Sequence, residues 1–266
     1  MVSIIISFKQ SDNDRGRNLR KLLPYLSSLA LDKEIIVVEQ DSESKMDWLA
    51  GMEESKTVKH IFIKNNGIFN KGAGYNVGVR ESRGEYLMFS DVDLFMKPSA
   101  YLNMLPPLSL SSIVKPYTEL YYLDKTDSEL FLSSDCDMDI VHREGIVSKH
   151  IYPSVISGGI FAIGREAFFT LNGFDERCAG YGYEDDILDT KIRRAGFKVE
   201  NISDYCIHIY HDSIRDGLNK GDEYYSRFEQ NKKLFRWYTQ IPYSELLTTI
   251  KNATSWGETA HEYITH

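Results

Sequence analysis

The sequence has few cysteines and no excess of positive charge. Its 266 residues include three cysteines, Cys136, Cys178 and Cys206, and no pair of them has CxxC spacing. A disulfide-stabilised fold or a zinc knuckle is therefore not expected, and a reducing compartment is the simplest interpretation. The 31 Lys and Arg residues against 39 Asp and Glu residues give a net charge of −8. This balance argues against nucleic-acid binding, and an anionic ligand would need a metal ion or a local group of basic side chains.

Long apolar runs are also missing. No stretch of about 18 apolar residues is present to cross a membrane. The apolar N-terminal run, MVSIIISF, is short and has no basic region before it, so we expect no signal peptide. These features predict a cytoplasmic protein, with peripheral contact to the inner membrane face as an alternative.

Short apolar runs alternate with helical patterns in the first part of the chain. A helix with a leucine face is predicted after the first strand, with a kink or break at Pro24. A glycine-containing helix is predicted before the fourth strand. This order predicts an α/β fold with a mostly parallel sheet flanked by helices. The predicted strands are Val2–Phe8, 34–41, Val58–Lys64 and 85–91.

Charged side chains lie at or just after the ends of these strands. Because ligands bind at the carboxyl ends of strands in such sheets, we expect the charged side chains to lie at one binding edge. The Asp-x-Asp motif at 91–93 either caps a turn or presents two carboxylates to Mg²⁺ or Mn²⁺. The side chains at this edge are Lys9, Glu39, Asp41, Asp91 and Asp93.

Two pairs of residues in the second half have two interpretations each. His208 and His211 are either unrelated surface and core histidines or, together with a carboxylate, a Mn²⁺ site. The pair Gly158-Gly159 precedes an apolar strand. It indicates either a bulge or a place where a ligand approaches the backbone closely.

Glu184, Asp185 and Asp186 form the first turn of a predicted helix. Carboxylates at this position stabilise the helix dipole, which accounts for one or two of them. The preceding GYGY loop is aromatic and flexible in composition, so we expect it to expose the acids. A carboxylate there could serve as a general base for a substrate hydroxyl.

Several blocks occur in one order: FNKGAGYNVG, FSDVDLF, SGGIFAI, LNGFDE, GYGYEDDI and IYHDSIRD. Together with IIISFK they resemble the β-1,4-galactosyltransferase family and its bacterial, family-2-like relatives. The resemblance runs from about residue 2 to 216. It implies the GT-A fold, with a single Rossmann-like, mostly parallel twisted sheet. It also implies a metal-dependent, inverting transfer of a sugar from a UDP-sugar donor.

The resemblance assigns roles by position. Asp93 and His211 would be ligands of Mn²⁺, with Mg²⁺ as the alternative ion, and His208 would replace a methionine ligand common in the family. Asp185 would be the catalytic base and Glu184 would bind substrate hydroxyls. The residues predicted to bind the nucleotide-sugar, either from the resemblance or from their place beside the strands, are Ser7, Phe8, Lys9, Glu39, Asp41, Phe69, Lys71, Asp91, Val92, Gly158, Gly159 and Tyr181.

The sequence also departs from the animal members of that family. Residues 42–67 form an insertion relative to them. Ile156 stands where galactose-specific members carry a tyrosine, so we expect more room at C2 of the sugar and keep both Gal and GalNAc as donor sugars. Two aspartates follow Glu184 instead of three. The loop at 180–182 is expected to close over the bound donor.

We predict one domain over residues 1–266. Its parts are a nucleotide-binding half (1–95), a donor and acceptor half (96–216) and a C-terminal helical extension (217–266). Residues 118–152 are expected to be an irregular region. The aromatic residues near the C-terminus are expected to pack in the core.

The predicted partners are a UDP-sugar donor and a glycan or lipid-linked glycan acceptor, in surface polysaccharide synthesis. Two alternative functions remain. One is a nucleotide-sugar hydrolase or pyrophosphorylase, although the first loop lacks a glycine-rich phosphate motif. The other is a non-catalytic sugar-binding scaffold.

Overall fold

A computed structural model of the chain describes residues 1–107, 109–150, 156, 159–212, 222–252 and 263–265. The strands are β1 (Val2–Phe8), β2 (Lys33–Asp41), β3 (Val58–Lys64), β4 (Tyr86–Phe89), β5 (Leu94–Met96), β6 (Ile113–Lys115), β7 (Glu119–Tyr122), β8 (Val147–His150), β9 (Phe161–Gly164), β10 (Val199–Asn201), β11 (Tyr205–His208) and β12 (Tyr263–Thr265). The α-helices are α1 (Asn13–Ser28), α2 (Lys71–Arg80), α3 (Pro98–Asn103), α4 (Lys125–Ser133), α5 (Arg165–Thr170), α6 (Glu184–Arg194), α7 (Glu223–Gln240) and α8 (Tyr243–Asn252). Short 3₁₀ helices cover Asp47–Gly51, Glu53–Lys56 and Met138–His142.

The larger sheet has the strand order β10-β6-β9-β4-β1-β2-β3-β12. Its centre is parallel, because β1 pairs in parallel with β2 and β4, and β2 pairs in parallel with β3. Strand β9 runs antiparallel between β4 and β6. The predicted α/β fold with a mostly parallel sheet is confirmed.

Helices cover both faces of this sheet, and β1 shows why. All seven residues of β1 are buried, so its side chains alternate between two apolar layers. Ile4 and Ile6 belong to the core that contains Leu22 of α1. Ile5 belongs to the opposite core, with Val79 of α2.

A second, four-stranded sheet was not predicted from the sequence. Its order is β5-β11-β7-β8. Strand β11 pairs antiparallel with β5, so that His208 lies opposite Leu94, and in parallel with β7. The amide of Ile209 donates to the carbonyl of Asp93 at 2.9 Å. This sheet therefore places the Asp-x-Asp segment beside the histidine segment.

Three local predictions differ from the structure. The expectation of two short helices at Pro24 was wrong, because α1 is one helix over Asn13–Ser28, and the alternative of a kink stays a prediction. Burial of its leucine face offsets the backbone hydrogen bond that proline cannot donate. The region 118–152, expected to be irregular, contains β7, α4, a 3₁₀ helix and β8. The C-terminal segment adds to α7 and α8 the strand β12, which pairs antiparallel with β3.

The predicted domain limits are not tested by these observations and stay a prediction. The expected core packing of the C-terminal aromatic residues is present in part, since Tyr238, Phe235 and Trp237 belong to an apolar cluster with Ile187 of α6.

Among the described residues, none of the helices combines the length and hydropathy that a membrane span requires.

Candidate active site

A cavity of about 550 Å³ opens at the carboxyl ends of β1 and β4. This is the edge of the sheet where the sequence predicts ligand binding. Thirteen of the predicted site residues line it: Ser7, Phe8, Lys9, Phe69, Lys71, Asp91, Val92, Asp93, Tyr181, Glu184, Asp185, His208 and His211. The remaining lining residues are Ser11, Arg15, Tyr122, Gly180, Gly182, Tyr183, Asp186 and Tyr224.

Asp93, His208 and His211 form one cluster in this cavity. Each offers a ligand atom, and these atoms lie within 4.8 Å of one another. The Oδ2 of Asp93 is 2.7 Å from the Nε2 of His211, and the two imidazole ring centroids are 5.2 Å apart. One carboxylate and two imidazoles suit Mn²⁺, so these residues could hold a divalent cation.

The second nitrogen of His211 supports this interpretation. Its Nδ1 lies 2.9 Å from the carbonyl oxygen of Asp212, to which it can donate a hydrogen. With Nδ1 engaged in this way, Nε2 is the nitrogen that faces Asp93, and its lone pair would become available to a metal ion once its own proton is lost. Metal-ligating histidines commonly have such a second hydrogen bond, so the residues present fit a metal ion.

Charge within the cluster controls its proton affinity. Burial alone would raise the pKa of Asp93, but His208, His211 and Arg15 together hold that pKa below its usual value. Burial lowers the pKa of His208. Burial opposes protonation of His211 as well, but the hydrogen bond and charge of Asp93 raise the pKa of His211 above its usual value.

Lys71 joins the Asp-x-Asp segment to the acids of α6. Its Nζ lies 2.9 Å from Oδ1 of Asp91, 3.4 Å from Oε1 of Glu184 and 3.8 Å from Oδ2 of Asp185. Burial would lower the pKa of Lys71, but Asp185 and Asp91 raise it well above the usual value. Lys71 is therefore a permanent cation among three carboxylates.

Asp185 has the proton affinity expected of a general base. Burial raises its pKa to about 7, and the charges of Glu184 and Asp91 act in the same direction, while Lys71 opposes them. A base with a pKa near the working pH can accept a proton from a hydroxyl and release it again.

Gly159 allows the chain to pass close to Asp91. Its φ is +91°, and a Cβ at this position would lie 2.5 Å from Oδ2 of Asp91 and 2.5 Å from Cδ1 of Leu94. The carbonyl of Gly159 also accepts the amide of Asp91 at 3.2 Å. Glycine is required here for both reasons, but the close approach is that of the protein's own Asp91. Gly159 is not among the residues that line the cavity, so the predicted approach of a ligand to this backbone stays a prediction.

The rest of the cavity wall carries polar atoms suited to a ligand. The Oγ of Ser7 is buried and has no hydrogen-bond partner among the described residues. The Nζ of Lys9 donates to the carbonyl of Gly67 at 2.8 Å. Phe69 lines the same wall, and its carbonyl accepts the amide of Gly180 at 2.8 Å.

Several predicted residues lie elsewhere. Glu39 is fully buried outside the cavity lining, where its carboxylate binds Ser44, the amide of Lys45 and His60. Asp41 also lies outside the lining, and its carboxylate accepts the amide of Ser42. Gly158 lies outside the described residues.

Ile156 does not line the cavity. Its side chain is fully buried in the apolar cluster that contains Phe161 and Leu188. Its amide donates to Asp189 and its carbonyl accepts from Lys115. The side chain of Ile156 therefore does not contact the cavity, and the expectation of more room around C2 of the sugar stays a prediction.

Sequence reasoning missed Ser11, Arg15, Tyr122 and Tyr224 among the lining residues, and two of these, Arg15 and Tyr122, contact the histidines. Arg15 lies in the first turn of α1, which is capped by Asp12, and its Nη2 is 3.3 Å from Nδ1 of His211. Its place in the polar loop after the first strand was the available signal. Tyr122 ends β7 and packs on His208 with ring centroids 5.2 Å apart. No pattern in the sequence marks Tyr122.

Comparisons with known proteins agree with this geometry. The profile of the family described as "Glycosyltransferase like family 2" matches residues 3–245. β-1,4-Galactosyltransferase 4 of Cricetulus griseus is 22% identical over 202 residues, which are 74% of this chain and 44% of the relative. β-1,4-Galactosyltransferase 3 of Homo sapiens is 26% identical over 143 residues, which are 52% of this chain and 30% of the relative. The chain thus spans less than half the length of either relative.

Solved structures share the fold. The catalytic domain of Drosophila β1,4-galactosyltransferase 7, in complex with xylobiose, has a TM-score of 0.52 and 19% identity, covering 91% of this chain and 81% of that one. GalNAc-T7 with UDP, GalNAc and Mn²⁺ has a TM-score of 0.59 and 17% identity, covering 95% of this chain and 54% of that one. The chain belongs to the family-2-like glycosyltransferases, a family of sugar-transferring enzymes, and has the GT-A fold.

Proposed function

We propose that the protein catalyses the metal-dependent, inverting transfer of a hexose or N-acetylhexosamine from a UDP-sugar to a hydroxyl of a glycan. One observation carries this proposal. The Asp93–His208–His211 cluster and Asp185 line the same cavity, connected through Lys71 and Asp91. A set of candidate metal ligands and a base of raised pKa in one cavity are the two parts that this chemistry needs.

The donor diphosphate would lie at the metal cluster. When bound there, a divalent cation supplies positive charge that stabilises the diphosphate as the bond to the sugar breaks. Asp93, His208 and His211 would hold the cation. Lys9 and Arg15 add positive charge to the same wall.

The acceptor would lie at α6. Asp185 takes the proton of the acceptor hydroxyl as that oxygen attacks C1 of the sugar, opposite to the departing diphosphate. A single displacement of this kind inverts the anomeric centre. Glu184, 3.4 Å from Nζ of Lys71, is placed to accept a hydrogen bond from a sugar hydroxyl.

Gal and GalNAc are the proposed donor sugars. The similar structures support both, because one is a β1,4-galactosyltransferase and the other is GalNAc-T7 bound to UDP and GalNAc. A glycan or lipid-linked glycan acceptor, surface polysaccharide synthesis and a cytoplasmic location remain proposals based on the sequence.

The first experiment is calorimetric titration of the protein with UDP, GDP, CMP and dTDP, each with and without Mn²⁺. Binding of UDP that requires Mn²⁺ supports the proposed donor site. Release of UDP from UDP-Gal or UDP-GalNAc is then measured with and without a panel of neutral glycan acceptors. Release that depends on acceptor supports transfer, whereas release that ignores acceptor supports a hydrolase and contradicts the proposal.

A further inference from the structure

We propose that Tyr75 of α2 is a positioning residue for sugar transfer. Its hydroxyl holds the carboxylate of Asp91, and this contact leaves more of the charge of Lys71 available to Asp185. This inference rests on the proposed function, because Asp185 matters as the base of that reaction. Tyr75 is not among the residues that line the cavity, so it acts through Asp91 and not by touching a substrate.

Tyr75 and Lys71 approach the cavity wall from the same face of α2. They are four residues apart, and residues at this spacing are neighbours on a helix surface. The ring of Tyr75 is almost fully buried against Phe89 and Phe174, with ring centroids 4.9 and 5.2 Å away. The Nζ of Lys71 lies 5.7 Å from the centroid of the same ring. These contacts fix the direction in which the hydroxyl of Tyr75 points.

The carboxylate of Asp91 is shared between these two side chains. The hydroxyl of Tyr75 donates to Oδ1 at 2.9 Å, while the Nζ of Lys71 lies 2.9 Å from Oδ1 and 3.0 Å from Oδ2. The backbone of Asp91 is fixed as well, because its amide donates to the carbonyl of Gly159 at 3.2 Å. A hydrogen bond to an ionised acceptor is stronger than one between neutral groups, so the hydroxyl of Tyr75 contributes appreciably to holding this carboxylate.

The ammonium of Lys71 contacts two further carboxylates. It lies 3.4 Å from Oε1 of Glu184 and 3.8 Å from Oδ2 of Asp185, and it carries three N–H donors. Because the hydroxyl of Tyr75 supplies one donor to Asp91, that carboxylate attracts the ammonium less strongly. Without the hydroxyl, Lys71 would be drawn toward Asp91 and away from Asp185.

The consequence for Asp185 follows from the sign of each charge. The negative charge of Asp91 raises the pKa of Asp185, and the positive charge of Lys71 lowers it. Removal of the hydroxyl would strengthen the first effect and weaken the second, so both changes raise the pKa of the proposed base. Tyr75 itself keeps its proton, because burial and the charge of Asp91 raise the pKa of its hydroxyl well above the usual value.

A comparable group of side chains outside this cavity provides the control. Tyr238 of α7 is almost fully buried, and its hydroxyl donates at 2.8 Å to Oδ2 of Asp175, which also contacts Nη2 of Arg177 at 2.6 Å. A tyrosine hydroxyl thus binds a carboxylate that also binds a cation, as at Tyr75, but none of these three residues lines the active-site cavity. Tyr238→Phe therefore reports the effect of losing such a hydrogen bond alone.

The test compares Tyr75→Phe and Tyr238→Phe with the wild type. Each change keeps the ring and removes one hydroxyl, and urea unfolding measures its effect on stability. The pKa of Asp185 is measured directly from the ¹³Cγ shifts of labelled aspartates, assigned with Asp185→Asn, in Mg²⁺ and without any substrate. The profile of kcat/KM against pH is measured in parallel, with saturating Mn²⁺. The charged groups that face Asp185 are Lys71, Asp91, Lys115, Glu184 and Asp186.

In Tyr75→Phe the pKa of Asp185 should rise by about half a pH unit, less than on removal of Lys71 itself. The rate should then fall about threefold more below the midpoint than on the plateau above it, because half a unit is about a threefold change in the ionised fraction. Tyr238→Phe should leave the pKa of Asp185 unchanged, and any loss of rate in it should be the same factor at every pH.

An unchanged pKa of Asp185 in Tyr75→Phe would overturn the proposal, and so would equal shifts in the two variants. If Tyr75→Phe does not fold, 3-fluorotyrosine is introduced at position 75 instead. Its hydroxyl is a stronger donor, so the pKa of Asp185 should fall, and a rise or no change would contradict the proposal. A wild type that transfers no sugar to any acceptor would refute the proposed function, while the aspartate shifts still show whether Tyr75 acts on Asp185.

Discussion

The Nζ of Lys71 lies 3.8 Å from the Oδ2 of Asp185. The same ammonium contacts Asp91 at 2.9 Å, so one cation connects the donor side of the cavity to the proposed base. The positive charge of Lys71 favours the ionised form of Asp185 and so opposes the effect of burial, which raises the pKa of Asp185. It also explains how five carboxylates can line one cavity, since Lys71, Lys9 and Arg15 offset part of their charge.

Asp185→Asn should lower turnover by roughly 10²–10⁴-fold, the usual contribution of general base catalysis. The amide keeps the size of the side chain and cannot accept the proton. UDP binding in the presence of Mn²⁺ should stay at the wild-type level, because the cluster at Asp93 is unchanged. Steady-state kinetics and calorimetry on the same preparation check both results. Wild-type turnover in this variant would exclude Asp185 as the base.

The rate of transfer should rise with pH through about 7 and level off above it. Burial raises the pKa of Asp185 to about 7, and only the ionised carboxylate can accept a proton. Lys71→Met removes the nearby positive charge that favours ionisation, so the midpoint of the profile should move up by about one pH unit. The profile of kcat/KM against pH measures this shift.

Lys9→Met is the matched control for that profile. Lys9 is a cation of the same cavity, but its Nζ binds the carbonyl of Gly67 and not the acids of α6. Its removal should leave the midpoint in place, whatever it does to the rate. Equal shifts in both variants would mean that the general field of the cavity, and not the Lys71–Asp185 contact, sets the pKa.

His208 offers a graded test of the metal site. His208→Ala should weaken Mn²⁺ binding by at least about 10–100-fold, the range found even for partners outside the direct ligands. His208→Met should weaken it less than His208→Ala, because a thioether is a poor but usable ligand. Mn²⁺ titration followed by electron paramagnetic resonance gives both affinities. Unchanged affinity in His208→Ala would remove His208 from the ligand set.

Gly159→Ala and Gly145→Ala separate backbone strain from steric overlap. Both glycines have φ of +91°, but nothing lies within 4 Å of a Cβ at Gly145. Gly145→Ala should cost about 1–2 kcal/mol through strain alone. Gly159→Ala should cost a further 1–3 kcal/mol or so, because its Cβ overlaps Asp91 and Leu94. Urea unfolding measures both costs, and equal losses of stability would show that Asp91 simply moves aside.

Local sequence patterns predicted the main sheet and the position of the site. The strands β1, β2 and β3 are long and apolar, and Lys9 after β1 and Asp91 and Asp93 after β4 mark the edge at which the cavity opens. The second sheet could not be predicted in the same way. Its strands have three or four residues, and β8 reads Val-Ser-Lys-His, which carries no apolar alternation. Such strands form because partners distant in the sequence pair with them.

The contacts of the candidate site show the same limit. The motifs identified Asp93, His208 and His211 as a group, and the structure brings them together. The ion pairs of Lys71 with Asp91 and Asp185 depend on how α2 and α6 meet, which no local pattern encodes. Glu39 illustrates the reverse case, because a charged residue at a strand end turned out to bind its neighbours in the core.

The pairing of β5 with β11 has a consequence for assembly of the molecule. Asp93 precedes β5 and His208 ends β11, so the cluster draws its atoms from opposite halves of the chain. It can form only after those halves have joined, since contacts distant in sequence form late. A cation bound there binds the native state alone. At a free concentration of 100 times its dissociation constant it would add about 2.7 kcal/mol to the free energy of unfolding. The ion would then act as a reversible crosslink between the two halves of the polypeptide, as well as a participant in the chemistry.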